Sequence, residues 1–250
     1  MKKSWADRVT LLCFGMVAVA GFAQILHEEK LPNLEAGKRL HGLSVWIWIL
    51  KDAEHGELGN VIKRCRDVRI NAVLIKVNDG RQVITPEGRC EPVDDVQNAS
   101  CQLTRELVNW FHSAGVAVHG WSMMYGGDCG KEIAFAVHAL HTLGADGFVF
   151  DTEGFIKGKP KQAQEICRGV REHIKTCSAC TGKLLSFSPY RNPEAHRSLP
   201  YEVFEQYCDV MLPQVYYWYP RWQADPKEKL DQSYAQWSRL EQRIHQDGSG

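Results

Sequence analysis

Gly147-Phe-Val-Phe-Asp151-Thr-Glu153-Gly154 is a short hydrophobic run that ends in two carboxylates one position apart. A segment apolar on both faces must be covered on both faces, which is the setting of a parallel strand in an α/β protein. Side chains alternate along a strand, so Asp151 and Glu153 share one face while Phe148, Phe150 and Thr152 share the other. Runs of the same kind recur, giving six in all: residues 43–50, 72–77, 116–121, 147–150, 184–187 and 210–215. Between them lie stripes at helical spacing: Leu58, Val61, Ile62 and Cys65; Ala163, Ile166, Val170 and Ile174; Leu230, Tyr234, Trp237, Leu240 and Ile244. Gly115 and Gly144 follow two such stripes, where a left-handed helix cap is wanted. Strand–helix alternation without a glycine-rich phosphate loop favours a (β/α) TIM-type barrel over a doubly wound nucleotide fold. Only six strand–helix units are visible where a closed barrel has eight, and Gln246-Asp-Gly-Ser-Gly250 adds no strand, so a truncated or open barrel is expected.

Composition narrows the function. The chain has 250 residues, 30 Lys+Arg against 30 Asp+Glu, with 44% hydrophobic and 24% charged residues. That is a globular composition with no excess positive charge for a phosphate backbone, so nucleic acid is excluded as a partner. Lys2, Lys3 and Arg8 precede an uncharged stretch, residues 9–23, that closes on small residues, as in a secretory signal peptide. The stretch is too short to span a bilayer, so no stable membrane insertion is expected after cleavage. The expected organisation is a signal over residues 1–23, a lead-in over 24–42 and a barrel over 43–250, secreted or held in the periplasm or at the cell surface. Eight of the nine cysteines lie beyond the signal, and an even number in an oxidising compartment favours some disulfides, with Cys90 pairing with Cys101. Cys177-Ser-Ala-Cys180 reads as a bridge or two buried thiols, because no second CxxC or His-x3-His completes a zinc set. His138 and His141 read as exposed helix residues lacking a third ligand. Neither a metal nor a cofactor is implied.

In a parallel barrel the chemistry gathers at the carboxyl ends of the strands. Those ends carry Trp46 and Trp48; Lys76 with Asp79; Trp121 and Tyr125; Asp151 and Glu153; Ser188 and Tyr190; and Gln214, Tyr216 and Trp218. Two carboxylates leaving an apolar strand on one face raise at least one pKa, which can keep a carboxylic acid protonated near neutral pH. Flat aromatics with polar handles suit pyranose rings, which have apolar faces and polar rims. Asp146 and Asp209 precede strands and belong to the opposite, stability end.

The segments Ile75-Lys76-Val77-Asn78-Asp79-Gly80, Asp151-Thr-Glu153-Gly154 and Pro213-Gln214-Val-Tyr216 together resemble the TIM-barrel glycoside hydrolases, in particular the family 25 lysozyme-like muramidases and related glycosidase-like barrels. The resemblance implies Glu153 as catalytic acid and Asp151 as its partner, assisting an acetamido group of the substrate or positioning the acid. That family carries an acidic residue at the end of its first strand, and residues 43–50 have none. The implied partner is a cell-wall polysaccharide or another glycan. The reading from another class is a secreted, non-catalytic carbohydrate-binding barrel in which the same groups only bind.

Overall fold

Six parallel strands lie side by side in chain order, each joined to the next by a helical crossover. The computed structural model describes residues 33–78, 82–84, 90–92, 102–216, 218–219, 222–223 and 225–247. The signal segment, the Cys90–Cys101 pairing, Asp79 and the Trp218 side chain lie outside the described residues. Strand β1 is Leu43–Ile47 and β2 is Ile70–Asn78, followed by a small antiparallel hairpin, β3 (Gln82–Ile84) and β4 (Cys90–Pro92). The main sheet continues with β5 (Ala117–Met123), β6 (Gly147–Thr152), β7 (Leu184–Pro189) and β8 (Val210–Met211). A second two-residue pair, β9 (Trp218–Tyr219) and β10 (Trp222–Gln223), lies beyond it. The sheet order β1-β2-β5-β6-β7-β8 never reverses, so the strands wind one way around, as in a (β/α) barrel and unlike a doubly wound sheet. Among the described residues β1 and β8 remain its two edges, so the barrel is open.

The helices are α1 (Leu34–Lys38), α2 (Leu58–Asp67), α3 (Arg105–Ser113), α4 (Cys129–Val137), α5 (Pro160–Thr176), α6 (Tyr201–Tyr207) and α7 (Pro226–Asp247). Gly115 and Gly144 adopt φ of 78° and 85°, the left-handed caps expected after α3 and the α4 crossover. The alternation along the strands sorts the interior into two cores. Phe148, Phe150, Val73, Ile75, Val118, Leu185 and Phe187 pack outward against the helices. Ala72, Leu74, Ala117, Trp121, Val149, Val210 and Leu212 face the concave side.

Two strands are shorter than their hydrophobic runs. β1 ends at Ile47 because the chain turns into a 3₁₀ segment, Leu50–Gly56. Gln102 pins that turn, accepting from Leu50 N at 2.7 Å and donating to Trp48 O at 2.7 Å and Lys76 O at 3.1 Å. β8 ends at Met211, since Pro213 has no N–H to continue a ladder, and pairing resumes only as a single bridge between Tyr190 and Gln214. In α7 the buried stripe is Ser233, Trp237 and Glu241, whereas Tyr234 is exposed, contrary to the expected stripe. The helix docks on the start of α6 and on the turn after β7: Trp237 meets Tyr201 edge-on at 5.2 Å, and Ser233 Oγ donates to Arg191 O.

The lead-in closes the amino-terminal end of the barrel. Asn33 caps α1, accepting from Ala36 N at 3.0 Å, and Asn33 N donates to Asn71 Oδ1. Leu40 joins the concave core, and buried His119 of β5 bonds Gly37 O at 2.9 Å through Nε2. Burial holds that imidazole below its ordinary pKa, which keeps it neutral. A Cβ on Gly37 would stand 1.9 Å from Asn71 O, a backbone atom. Gly37→Ala is therefore expected to displace α1 and to cost roughly 1–3 kcal/mol, the usual scale of overpacking, as a fall in urea midpoint at unchanged slope. Asp146 sits at the same end, accepting from His112 Nε2 at 2.7 Å and Val118 N at 2.9 Å. Asp209 likewise pairs with Arg171 at 2.7 Å.

The six cysteines whose side chains are described, Cys65, Cys129, Cys167, Cys177, Cys180 and Cys208, are free thiols, so the disulfide expectation has no example among them. His138 is buried and not exposed as expected; the chain beyond α4 widens there into a π turn, His138–Thr142, which changes the face that its residues present. Among the described residues no helix is long and apolar enough to cross a membrane.

Candidate active site

The carboxyl end of β6 delivers Asp151 to the concave face directly above Val149. Asp151 Oδ1 accepts from Gln214 Nε2 at 2.7 Å, and the same amide nitrogen reaches Ser188 O at 3.2 Å. Gln214 is itself placed by the resumed pairing, with its N–H on Pro189 O at 2.9 Å. Tyr216 closes the chain of bonds by donating its hydroxyl to Gln214 Oε1 at 3.1 Å. Burial is the main force on the Asp151 carboxyl, the negative charge of Glu153 adds to it, and Gln214 and Lys76 oppose both; the outcome is a pKa pushed up to about 7. The rise expected of the pair thus falls on Asp151, the group set deeper in the sheet.

Glu153 leaves the strand two residues later and faces the same cluster, where its charge bears on Asp151, Tyr190 and Tyr216. The Tyr190 hydroxyl lies close enough to both carboxylates for their charge to bear on it. Burial first, then these carboxylates, raise the Tyr190 pKa and push that of Tyr216 up to about 12, so both phenols stay protonated donors. The Tyr190 ring is fixed from behind by His196, stacked at 3.9 Å, and by the Lys157 ammonium at 5.1 Å. Because Gln214 donates to the ionised form of Asp151, removing that donor raises the pKa further. Gln214→Leu is expected to move the Asp151 titration above about 7, followed by carboxyl carbon NMR of the labelled protein.

Around this group the mouth is aromatic. Lys76, only 7% exposed, lies between two indoles, its Nζ 4.8 Å from the Trp48 ring and 5.6 Å from that of Trp121. A cation over an indole face is attracted by the ring, and the Lys76 charge bears on Asp151, where it opposes the rise in pKa. Trp48 is 65% exposed and Tyr216 50%, which makes them the open aromatic surfaces of the site. Trp121 and Trp46 form a layer beneath, edge to face at 5.0 Å, with the Trp121 indole N–H on Ile47 O at 3.3 Å. Ser188 is buried and gives its hydroxyl to Leu212 O, so it stabilises the wall under Gln214. On the β5 side Tyr125 meets exposed Phe155 at 4.9 Å.

Glu132, which the sequence did not single out, shapes that side. Its buried carboxylate accepts from the backbone N–H groups of Tyr125, Gly126 and Gly127 at 3.1, 2.7 and 3.4 Å, while Lys159 Nζ donates to Tyr125 O at 2.8 Å. A Glu in the first turn of an amphipathic helix reads as a solvated charge, and only the fold of the preceding loop back over α4 reveals its role.

No family model matches the chain, and no curated protein does. Among solved structures it is similar to a GH18 chitinase from Pseudoalteromonas aurantia, with 13% identity, 74% of this chain and 71% of that one covered, and a TM-score of 0.48. A chitinase from Chromobacterium violaceum follows at 13% identity, 77% and 64% coverage and a TM-score of 0.45. Rhizobium etli pyruvate carboxylase aligns at 12% identity over 78% of this chain and 21% of its own, with a TM-score of 0.37. None of these three is a family 25 muramidase.

Proposed function

We propose that this protein is an exported glycoside hydrolase acting on a polysaccharide whose sugars carry N-acetyl groups. One observation carries the reading: two carboxyl groups on one strand face, one with its pKa near 7, are ringed by Gln214, Tyr190 and Tyr216, and the Lys76 ammonium that bears on them lies over the open indole of Trp48. Neighbouring carboxylates on one strand are poorly placed to flank a scissile bond as separate acid and nucleophile, roles that need roughly 5 Å or more across the substrate. One acid and one helper fit better. Glu153 gives its proton to the glycosidic oxygen as the C1–O bond breaks, and the substrate's own acetamido oxygen bonds to C1. Asp151, in its ionised form, accepts a hydrogen bond from the acetamido N–H, and its negative charge stabilises the positive charge that develops there. Water then adds at C1 as the bond from the acetamido oxygen to C1 breaks, giving its proton to Glu153 and restoring both the acid and the acetamido group. Trp48 stacks on a sugar face, and Lys76, Gln214 and Tyr216 bind hydroxyls or developing charge. Residues 1–23 direct export, consistent with a substrate outside the cell.

The substrate's acetamido group tests this mechanism. A chitin-type oligosaccharide is expected to be cleaved and its deacetylated counterpart to be bound but left intact. Equal cleavage of both would remove the internal nucleophile from the account, and binding without cleavage of either would make the barrel a carbohydrate-binding module.

A further inference from the structure

On the opposite side of the molecule from the mouth, four side chains converge from the two crossovers that lead into β6 and β7. His141 comes from the π turn after α4, His173 from the last turn of α5, Cys177 from the residue that caps α5, and Cys180 from the short 3₁₀ turn that follows. Their donor atoms all lie within 4.8 Å of one another. His141 Nδ1 is 3.0 Å from Cys177 Sγ, and the two imidazoles meet at 5.6 Å between centroids. Both cysteines are free thiols. His173 Nε2 is buried with no hydrogen-bond partner, an orphan polar atom beside three other donors.

We infer that His141, His173, Cys177 and Cys180 form a closed four-ligand zinc site. Two thiolates and two imidazoles are the donor set that tetrahedral zinc favours, and the Cys177-Ser-Ala-Cys180 spacing is that of a zinc-binding turn. Zinc–nitrogen and zinc–sulfur bonds of about 2.0 to 2.3 Å put tetrahedral donors about 3.3 to 3.8 Å apart, within side-chain adjustment of the spread seen here. The chemistry balances: each thiol releases its proton to solvent, and two thiolates neutralise the dication, leaving an uncharged centre that tolerates half-burial. Lys183, which donates to Leu140 O at 2.6 Å, places a further positive charge near the sulfurs.

The site is structural and not catalytic. All four positions are filled by protein, which leaves none for water or substrate. It also joins α4 to the turn before β7, two segments whose ligands are separated by most of the β6 crossover. A Cys177–Cys180 disulfide would use the two sulfurs alone and leave His173 Nε2 unsatisfied. No second CxxC or His-x3-His announces these ligands, because His141 and His173 arrive at a spacing no short motif encodes.

The full chain, prepared with zinc and without chelator, is expected to hold one zinc per molecule by elemental analysis. Cobalt exchanged into it should give the intense visible absorption of a tetrahedral thiolate centre. Because His141 is exposed, His141→Ala keeps the fold by circular dichroism yet lowers metal affinity at least tenfold; Cys177→Ser does the same more severely, and Cys129→Ser has no effect. Three results would overturn the site: a reduced, folded chain that takes up neither zinc nor cobalt, uptake unchanged in His141→Ala and Cys177→Ser, or a Cys177–Cys180 disulfide in protein prepared without reductant.

Discussion

Glu153→Gln lowers turnover on a cleavable glycan by about a hundredfold to ten-thousandfold, the scale on which a positioned general acid contributes. The substitution keeps the shape of the side chain, so the wall of the mouth is retained. What is lost is the transferable proton. Substrate affinity is expected to stay within a few-fold, because Trp48, Lys76 and Tyr216 are untouched, so the effect falls on kcat and not on KM. Steady-state kinetics read the split directly. A rise in KM with kcat preserved would make Glu153 a binding residue instead of the acid.

The second large effect concerns Asp151 and pH. A carboxyl whose pKa rises from 3.8 in the unfolded chain to about 7 in the folded one binds its proton more tightly when folded. Below about pH 4 both states are protonated and the group makes no difference. Between about pH 4 and 7 the unfolded state loses its proton first, so stability falls as pH rises, and above about 7 the whole penalty is present. At about 1.4 kcal/mol per tenfold in proton affinity, this penalty is on the order of 4 kcal/mol. Asp151→Asn retains the acceptor for Gln214 Nε2 and carries no charge. Its urea midpoint should match the parent's near pH 4 and exceed it increasingly up to about pH 7, while turnover falls by at least a hundredfold. A stability difference that does not change with pH would mean that Asp151 is ordinary, and the case for a poised helper would go with it. The combination, a more stable and less active variant, is the usual mark of strain kept for function.

How much of this was written in the sequence depends on the range over which each feature is encoded. Phe148 and Phe150 against Asp151 was legible because alternation along one strand is a local rule, and the same rule put Gln214 beside Asp151 once the strands were ordered. The winding was legible too, since an unbroken strand–helix alternation in a parallel sheet leaves few topologies. Other features depend on packing between distant segments. α1 is a single short turn around Gly37, with no hydrophobic stripe to announce it, and its place is set by Asn71 and His119. Tyr234 matched a helical stripe by residue type, but α7 settles on the residue before it because Arg191 offers a carbonyl there. Trp121 and Ser188 stand at strand ends as expected, yet their polar atoms bond backbone carbonyls beneath the surface. The His141–Cys180 cluster was the least legible, because it exists only where two crossovers meet.

The most direct test of the central claim is release of reducing ends from a panel of peptidoglycan, chitin-type and neutral polysaccharides, with binding to each measured in parallel for the parent and Glu153→Gln. Release from an N-acetylated glycan that vanishes in the variant, with binding persisting in both, is the expected result for a hydrolase whose acid is Glu153. Release that survives Glu153→Gln, or binding in both with no release from any glycan, would contradict it.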